Sequence, residues 1–165
     1  MKNMKMIAAV SKNWGIGRNG DLLFKIPSDM KFFRSTTSGA AVIMGRKTLD
    51  SFPNGAPLKN RVNIVLTRDK SFSKDGAVVC FSKEEALAEA QKHENVFVIG
   101  GAEIYKMFLD DCDTAYITKV DEDADADKFI DNLDLLSEWQ LSECSEPQED
   151  NGHTLRFCRY EKHHL

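Results

Sequence analysis

The chain has 165 residues, 42% hydrophobic and 29% charged, which fits one compact domain over residues 1–165 with a full core, and a second domain is not expected. A formal net charge of −4 gives no broad electrostatic case for binding nucleic acid or a membrane surface, so chemistry on a small molecule is expected. Four scattered cysteines, Cys80, Cys112, Cys144 and Cys158, form no C-x-x-C pair and read as reduced structural thiols inside a cell, and no apolar stretch is long enough for a signal-peptide core or a bilayer span, so the cytoplasm is the expected compartment.

Met4 to Ser11 reads as a buried first strand, with Ile7, Ala8, Ala9 and Val10 in one apolar run. Small Ala8 and Ala9 leave room beside it. Gly15-Ile16-Gly17-Arg18-Asn19-Gly20 then spells G-x-G-x-x-G after a strand. A dinucleotide fingerprint needs a helix opening inside the motif, whereas Asp21 to Ile26 has no helical stripe and Pro27 closes it. A long mobile loop from about Ser11 to Ile26, suited to be a lid, is the better reading.

The stretch Phe24 to Phe33 plants one carboxylate among large apolar side chains. Pro27 suits a helix start, Ser28 is the expected N-cap, and Met30 with Phe33 repeat at i, i+3, so Asp29 falls in the first helical turn. An Asp there can simply complement the helix dipole. Beside Phe24, Ile26, Met30 and Phe33, however, desolvation disfavours its charged form unless a cationic or hydrogen-bonding ligand meets it.

Ala40 to Gly45 is a second buried strand, and Arg46 to Phe52 a short helix whose N-terminus could hold phosphate. Pro53 to Pro57 is a turn region, and Arg61 to Arg68 a third strand with a basic residue at each end. Val78-Val79 marks a short fourth strand, and Ser82-Lys83-Glu84-Glu85 is a capping box opening a helix to about Lys92. Val96 to Ile99 runs into Gly100-Gly101 and a helix from Ala102 to Leu109, a strand–glycine–helix turn of the ligand-cradling kind. After a strand from Thr114 to Val120 comes the acidic run Asp121 to Asp127. The spacing of Asp123, Asp125 and Asp127 suggests a calcium loop, but Lys128 stands where such a loop needs Gly and Asp134 where it needs Glu. A solvated loop and no metal are expected. Trp139 to Cys144 and Thr154 to Glu161 read as a terminal antiparallel hairpin around Pro147 to Gly152. Alternating strands and helices predict an α/β fold with a largely parallel sheet.

Four pieces stand in order: Ile7-Ala8-Ala9; Ile26-Pro27-Ser28-Asp29 with Phe33; Val42-Ile43-Met44-Gly45-Arg46-Lys47-Thr48; and Val98-Ile99-Gly100-Gly101-Ala102-Glu103-Ile104-Tyr105. Together they resemble the bacterial dihydrofolate reductases, from about Met6 to Tyr160. The resemblance implies a single domain with an eight-stranded, mostly parallel sheet, an antiparallel C-terminal strand and four flanking helices. It implies a monomer that reduces 7,8-dihydrofolate to 5,6,7,8-tetrahydrofolate, with NADPH giving a hydride to C6 and a proton reaching N5. The product supplies one-carbon metabolism and thymidylate synthesis, and antifolates are the implied inhibitors.

By matching position, the resemblance gives Asp29 the pterin amidine and the polarisation that brings a proton to N5, with Thr118 supporting it. Ile7, Ala8, Ala9, Met30, Phe33, Phe52, Leu58 and Ile99 would wall the pterin and aminobenzoyl groups, although each also has a plain core reading. Arg61 would anchor the glutamate α-carboxylate, which its planar guanidinium fits. On the cofactor side, Arg46 and Arg68 would meet the 2′-phosphate, with Gly45, Lys47, Thr48, Leu66 and Thr67 nearby. Gly100, Gly101, Ala102, Glu103 and Ile104 would receive the pyrophosphate, and Ala9, Ile16, Ile99 and Tyr105 would lie along the nicotinamide side. The Gly100–Gly101 peptide is expected to be cis, and a side chain at Gly101 to crowd turn and phosphate together.

Four positions depart from the family pattern. Phe24 stands where Trp is usual, Ala102 where Gly is frequent, Glu103 where a basic residue is frequent, and Asp127-Lys128 where an Asp-Thr pair makes the usual lid contact. Two other readings remain open from sequence: the pyrimidine reductase of riboflavin synthesis, which shares fold and cofactor, and a catalytically silent NADPH- or folate-binding module.

Overall fold

The structure, a computed structural model, describes residues 4–163. The first strand is β1 (Met4–Val10), followed by β2 (Gly15–Arg18), β3 (Asp21–Leu22) and helix α1 (Pro27–Thr37). Next come β4 (Ala41–Gly45), α2 (Arg46–Asp50), β5 (Val62–Leu66), β6 (Ala77–Cys80), α3 (Lys83–Ala90), β7 (Val96–Gly100) and α4 (Ala102–Phe108). The remainder is β8 (Thr114–Val120), β9 (Lys128–Phe129), β10 (Trp139–Cys144), β11 (Gln148–Asp150) and β12 (His153–Lys162).

Eight strands follow one another across the main sheet in the order β10-β12-β8-β1-β7-β4-β5-β6, and β11 pairs with β12 off this path. The strands from β8 to β6 are mutually parallel, and β12 runs antiparallel to β8. Ala41, Val42, Ile43 and Met44 of β4 are all fully buried, as a parallel strand covered on both faces requires. From β1 the chain passes to β4, β5 and β6, returns to β7, and crosses to β8 on the other side of β1. The order therefore reverses beside β1, and in such sheets ligands bind at the carboxyl ends of the strands flanking that reversal.

Three expectations are corrected. Ser28 is not the N-cap of α1: Ile26 is, in extended conformation with no side-chain cap, and Pro27 opens the helix. The segment from Ser11 to Ile26 is not irregular throughout, because β2 pairs with both β3 and β9 in a small second sheet. Its glycines serve close approach: a Cβ at Gly15 would lie 2.5 Å from the Ala126 Cβ, and one at Gly17 would lie 3.0 Å from the Asp21 carbonyl oxygen. The acidic run is an exposed loop, as expected, and two of its carboxylates also reach the lid. Asp125 pairs with Arg18 at 3.0 Å, and Asp127 accepts the Asn19 N–H at 2.9 Å while its own N–H donates to the Gly17 carbonyl at 2.9 Å. Finally, the cysteines are not all free thiols. The β10–β12 register sets Cys144 opposite Cys158, Cα–Cα 4.1 Å, joined as a disulfide, while Cys80 and Cys112 are free and buried.

The capping box of α3 forms with one offset: Ser82 Oγ accepts the Glu85 N–H at 3.1 Å, and the Glu85 carboxylate takes the N–H of Phe81, one residue before the N-cap, at 2.7 Å. Among the described residues no helix is long and apolar enough to cross a membrane, and no group of three His, Cys, Asp or Glu side chains could hold a metal.

Candidate active site

Asp29 sits in the first turn of α1, which lies over the β8–β12 pair because Phe32 packs on Tyr116 and Phe157, with ring centroids 6.2 and 4.8 Å away. The Thr118 hydroxyl of β8 donates to Asp29 Oδ1 at 2.7 Å. Burial pushes the Asp29 carboxyl above its ordinary value, and the Thr118 bond only partly opposes this. Among the described residues no lysine, arginine or histidine forms an ion pair with Asp29. A half-buried carboxylate without a cation is the electrostatic opening of this site.

Tyr105 of α4 is buried and donates its hydroxyl to the Ile7 carbonyl at 2.7 Å, which ties α4 to β1. Burial, then the Asp29 charge, pushes its phenol far above the ordinary value, so the hydroxyl stays protonated as a donor.

Of the predicted pocket walls, Ile7, Phe33, Phe52, Leu58 and Ile99 belong to one apolar cluster built on Val42, Met44, Leu49, Val65 and Phe97. Met30 stands apart with 46% exposure, and Leu22 on the lid strand β3 is 67% exposed, a position the sequence reading passed over. Ala8 and Ala9 are half-buried at the carboxyl end of β1. Leu58 is held by a residue that periodicity did not single out: buried Asn63 accepts the Leu58 N–H and donates to the Leu58 carbonyl, both at 2.9 Å.

Arg61 is oriented before any ligand arrives. Its Nη1 donates to Thr37 Oγ1 at 3.1 Å and its Nε to the Lys59 carbonyl at 2.9 Å. Burial and then the charge of Arg34 push its guanidinium below the ordinary value, which is what two cations sharing a patch without a carboxylate would give. Arg34 was not among the predicted residues; its i+3 distance from Lys31 gave no reason to prefer it over other surface charges.

Gly45 and Leu66 are register partners, so the ends of β4 and β5 adjoin and place Arg46 and Arg68 on neighbouring strand ends. Lys47 and Arg68 are exposed, Thr48 and Thr67 half-buried. Arg46 is engaged: its Nη1 pairs with Asp69 at 3.2 Å, its Nε with Asp50 at 3.6 Å, and the guanidinium lies 4.0 Å over the Phe72 ring. Asp69 itself is held below the ordinary carboxylate range by the Ser71 hydroxyl and N–H and by Arg46. Asp69 and Phe72 were missed because the loop after β5 carries no periodic signal.

The Gly100–Gly101 peptide is cis, as the resemblance implied. The crowding expected at Gly101 falls on Gly100 instead: Gly100 has φ +124° and an added Cβ would lie 3.3 Å from the Tyr105 ring, whereas nothing stands within 4 Å of one at Gly101. Ala102 and Glu103 open α4, Glu103 exposed, and Ile104 is buried against Gly45. Ile16 on β2 and Leu66 on β5 are both buried in the core on the other face of the sheet from the Ile7 cluster. A cavity of about 440 Å³ lined by Lys12, Trp14, Lys119 and Arg156 lies apart and has none of the predicted site residues in its wall.

Against these observations stand the comparisons with known proteins. The dihydrofolate reductase family model matches residues 3–162. The dihydrofolate reductase of Bacillus subtilis (strain 168) is 36% identical over 161 residues, covering 96% of this chain and 94% of that one. The chain is also 38% identical to the bifunctional dihydrofolate reductase-thymidylate synthase 1 of Arabidopsis thaliana, of whose length it spans 33%. Among solved structures, a dihydrofolate reductase from Enterococcus faecalis complexed with NADP(H) and RAB-propyl superposes with a TM-score of 0.87 at 32% identity, covering 98% of this chain and 96% of that one.

Proposed function

The chain belongs to the dihydrofolate reductase family, and from that premise we propose that it reduces 7,8-dihydrofolate to 5,6,7,8-tetrahydrofolate with NADPH. The observation that carries the reading is Asp29, whose carboxyl pKa is raised by burial, which Thr118 steadies and which no cation among the described residues pairs. Its two oxygens suit the adjacent N–H donors of a pterin amidine, which a carboxylate grips bidentately. Holding that edge as an anion, Asp29 polarises the ring and makes N5 easier to protonate, and the proton would reach N5 through water. Thr118 fixes one oxygen, so the other is aimed by elimination of freedom about the side chain.

Ile7, Phe33, Phe52, Leu58 and Ile99, with exposed Met30 at the mouth, would take the apolar faces of the pterin and aminobenzoyl groups. Arg61, already oriented by Thr37 and Lys59, would bind the glutamate carboxylate, and Arg34 adds positive field there.

The residues present fit the cofactor. Open space where a Gly101 Cβ would project is a cradle for a pyrophosphate that a side chain would fill, and Arg46 and Arg68 bring cations to the adjoining ends of β4 and β5 for a 2′-phosphate. NADPH, when bound, supplies the hydride for C6. Tyr105, pinned to Ile7, would form a fixed wall on the nicotinamide side, and the β2–β3 lid, clamped by Asp127, would exclude water. A monomeric cytoplasmic enzyme inhibited by antifolates completes the proposal.

The test is the loss of NADPH absorbance with dihydrofolate, with the pyrimidine substrate of riboflavin synthesis, and with neither. Turnover only with dihydrofolate is expected. Turnover only with the pyrimidine, or binding of NADPH without turnover, would refute the proposal.

A further inference from the structure

The helix that carries Asp29 has no cap of its own. Ile26 is its N-cap and offers no side-chain acceptor, and the Ser28 hydroxyl is buried with no aligned hydrogen-bond partner. An uncapped first turn leaves N–H groups that must find an acceptor elsewhere. One is found 122 residues away: the Ser28 N–H donates to Asp150 Oδ2 at 2.7 Å. We propose that Asp150 is a positioning residue for the reaction, a cap supplied by the β11–β12 hairpin that holds the first turn of α1 and therefore the neighbouring Asp29 in place.

Three further observations tie the hairpin to this duty. Asp150 is the register partner of His153 across the tight turn Asn151-Gly152, whose φ values are +50° and +82°. His153 Nδ1 bonds the Glu122 carboxylate beyond β8, and its ring meets the Phe24 ring edge-on at 5.9 Å, just before α1. The hairpin thus grips the chain twice on its approach to Asp29, with His153 at Phe24 and Asp150 at Ser28. The Ser28 N–H bond is also the first cause holding Asp150 below the ordinary carboxylate range, so the cap is charged at neutral pH. Around Asp29 the other groups that face it are Thr118 on β8 and Tyr105 on α4. The assignment rests on the proposed role of Asp29, but the position of Asp29 can be read without turnover.

Burial is the main cause of the raised Asp29 pKa, so a frayed first turn admits water and lets that pKa fall. The experiment is a carbon-13 carboxyl NMR titration of Asp29 in the ligand-free protein, with kcat and NADPH affinity, for wild type, Asp150→Ala, Asp150→Asn and the control Glu149→Ala. For Asp150→Ala the Asp29 pKa should move down and kcat at pH 7 fall roughly tenfold, as small misplacements of a reacting group do, with NADPH affinity unchanged. Asp150→Asn should restore both, because its amide oxygen accepts the same N–H. In wild type the Ser28 amide proton should titrate with the Asp150 carboxyl, a reading that needs no variant to fold. An unmoved Asp29 titration in Asp150→Ala, an Asn variant as impaired as the Ala variant, or a Ser28 amide blind to Asp150 would each overturn the proposal. A shifted Asp29 pKa with unchanged turnover would support the positioning and contradict the chemical role of Asp29.

Discussion

Asp29 is a residue whose folding cost and whose chemistry have the same origin. Its folded pKa lies above its unfolded value because burial penalises the charged form. Between those two values the native state holds more protons than the unfolded one, so stability falls as pH rises through that window and stays lowered above it. Asp29→Asn removes the buried charge while keeping the Thr118 hydroxyl supplied with an acceptor, so the variant should melt at a higher temperature than wild type at pH 7 and at nearly the same temperature in strong acid. Calorimetry at the two pH values checks this; a lower midpoint at pH 7 would mean that the carboxylate is stabilising there. The sequence made Asp29 and its apolar neighbours legible, since Pro27 and the run of Phe, Ile and Met fix a helix start in an apolar setting. Asn63, Asp69 and Asp150 were not, because each acts on a backbone group or a charge that only the folded chain brings near.

Elements were legible where they are long and bounded by their own signals. Strand β8 and the capping box of α3 stand where predicted, whereas β2, β3 and β9, of two to four residues, are too short for a period to show and exist by pairing with one another. The start of α1 was misassigned because its cap is tertiary. In the β7–α4 turn the two glycines separate stability from binding. Gly100→Ala places a Cβ at φ +124° and against Tyr105, so it should destabilise by about 1 kcal/mol or more. Gly101→Ala has open space at ordinary φ and should melt like wild type yet lose NADPH, which thermal melts and calorimetric titration of both variants will show. At the β4–α2 junction, Asp69 competes with any phosphate for Arg46. Replacing it, Asp69→Asn, should tighten NADPH by up to about fivefold, the worth of an exposed ion pair, and leave NADH unchanged. Equal change in both cofactors would place Arg46 away from the 2′-phosphate.

For the whole molecule, alternation of strand and helix specified a parallel α/β sheet, and the spacing of four motifs specified the family, before any coordinates. What alternation leaves open is order and register. The reversal beside β1 that gathers Ile7, Asp29, Ile99 and Thr118 at one edge, and the pairing that sets Cys144 opposite Cys158, follow from which strands become neighbours. That gathering is what the functional account depends on, and the pH dependence of the hydride step tests it most directly. Single-turnover loss of NADPH absorbance with dihydrofolate, followed across pH for wild type and Asp29→Asn, should show a wild-type rate that declines as pH rises through a value above the ordinary carboxylate range. The Asn variant should be slower by roughly 10² to 10⁴ at pH 7, with the deficit shrinking in acid as substrate arrives already protonated. Equal rates at pH 7, or a deficit that does not change with pH, would contradict the assignment of Asp29 as the group that governs protonation.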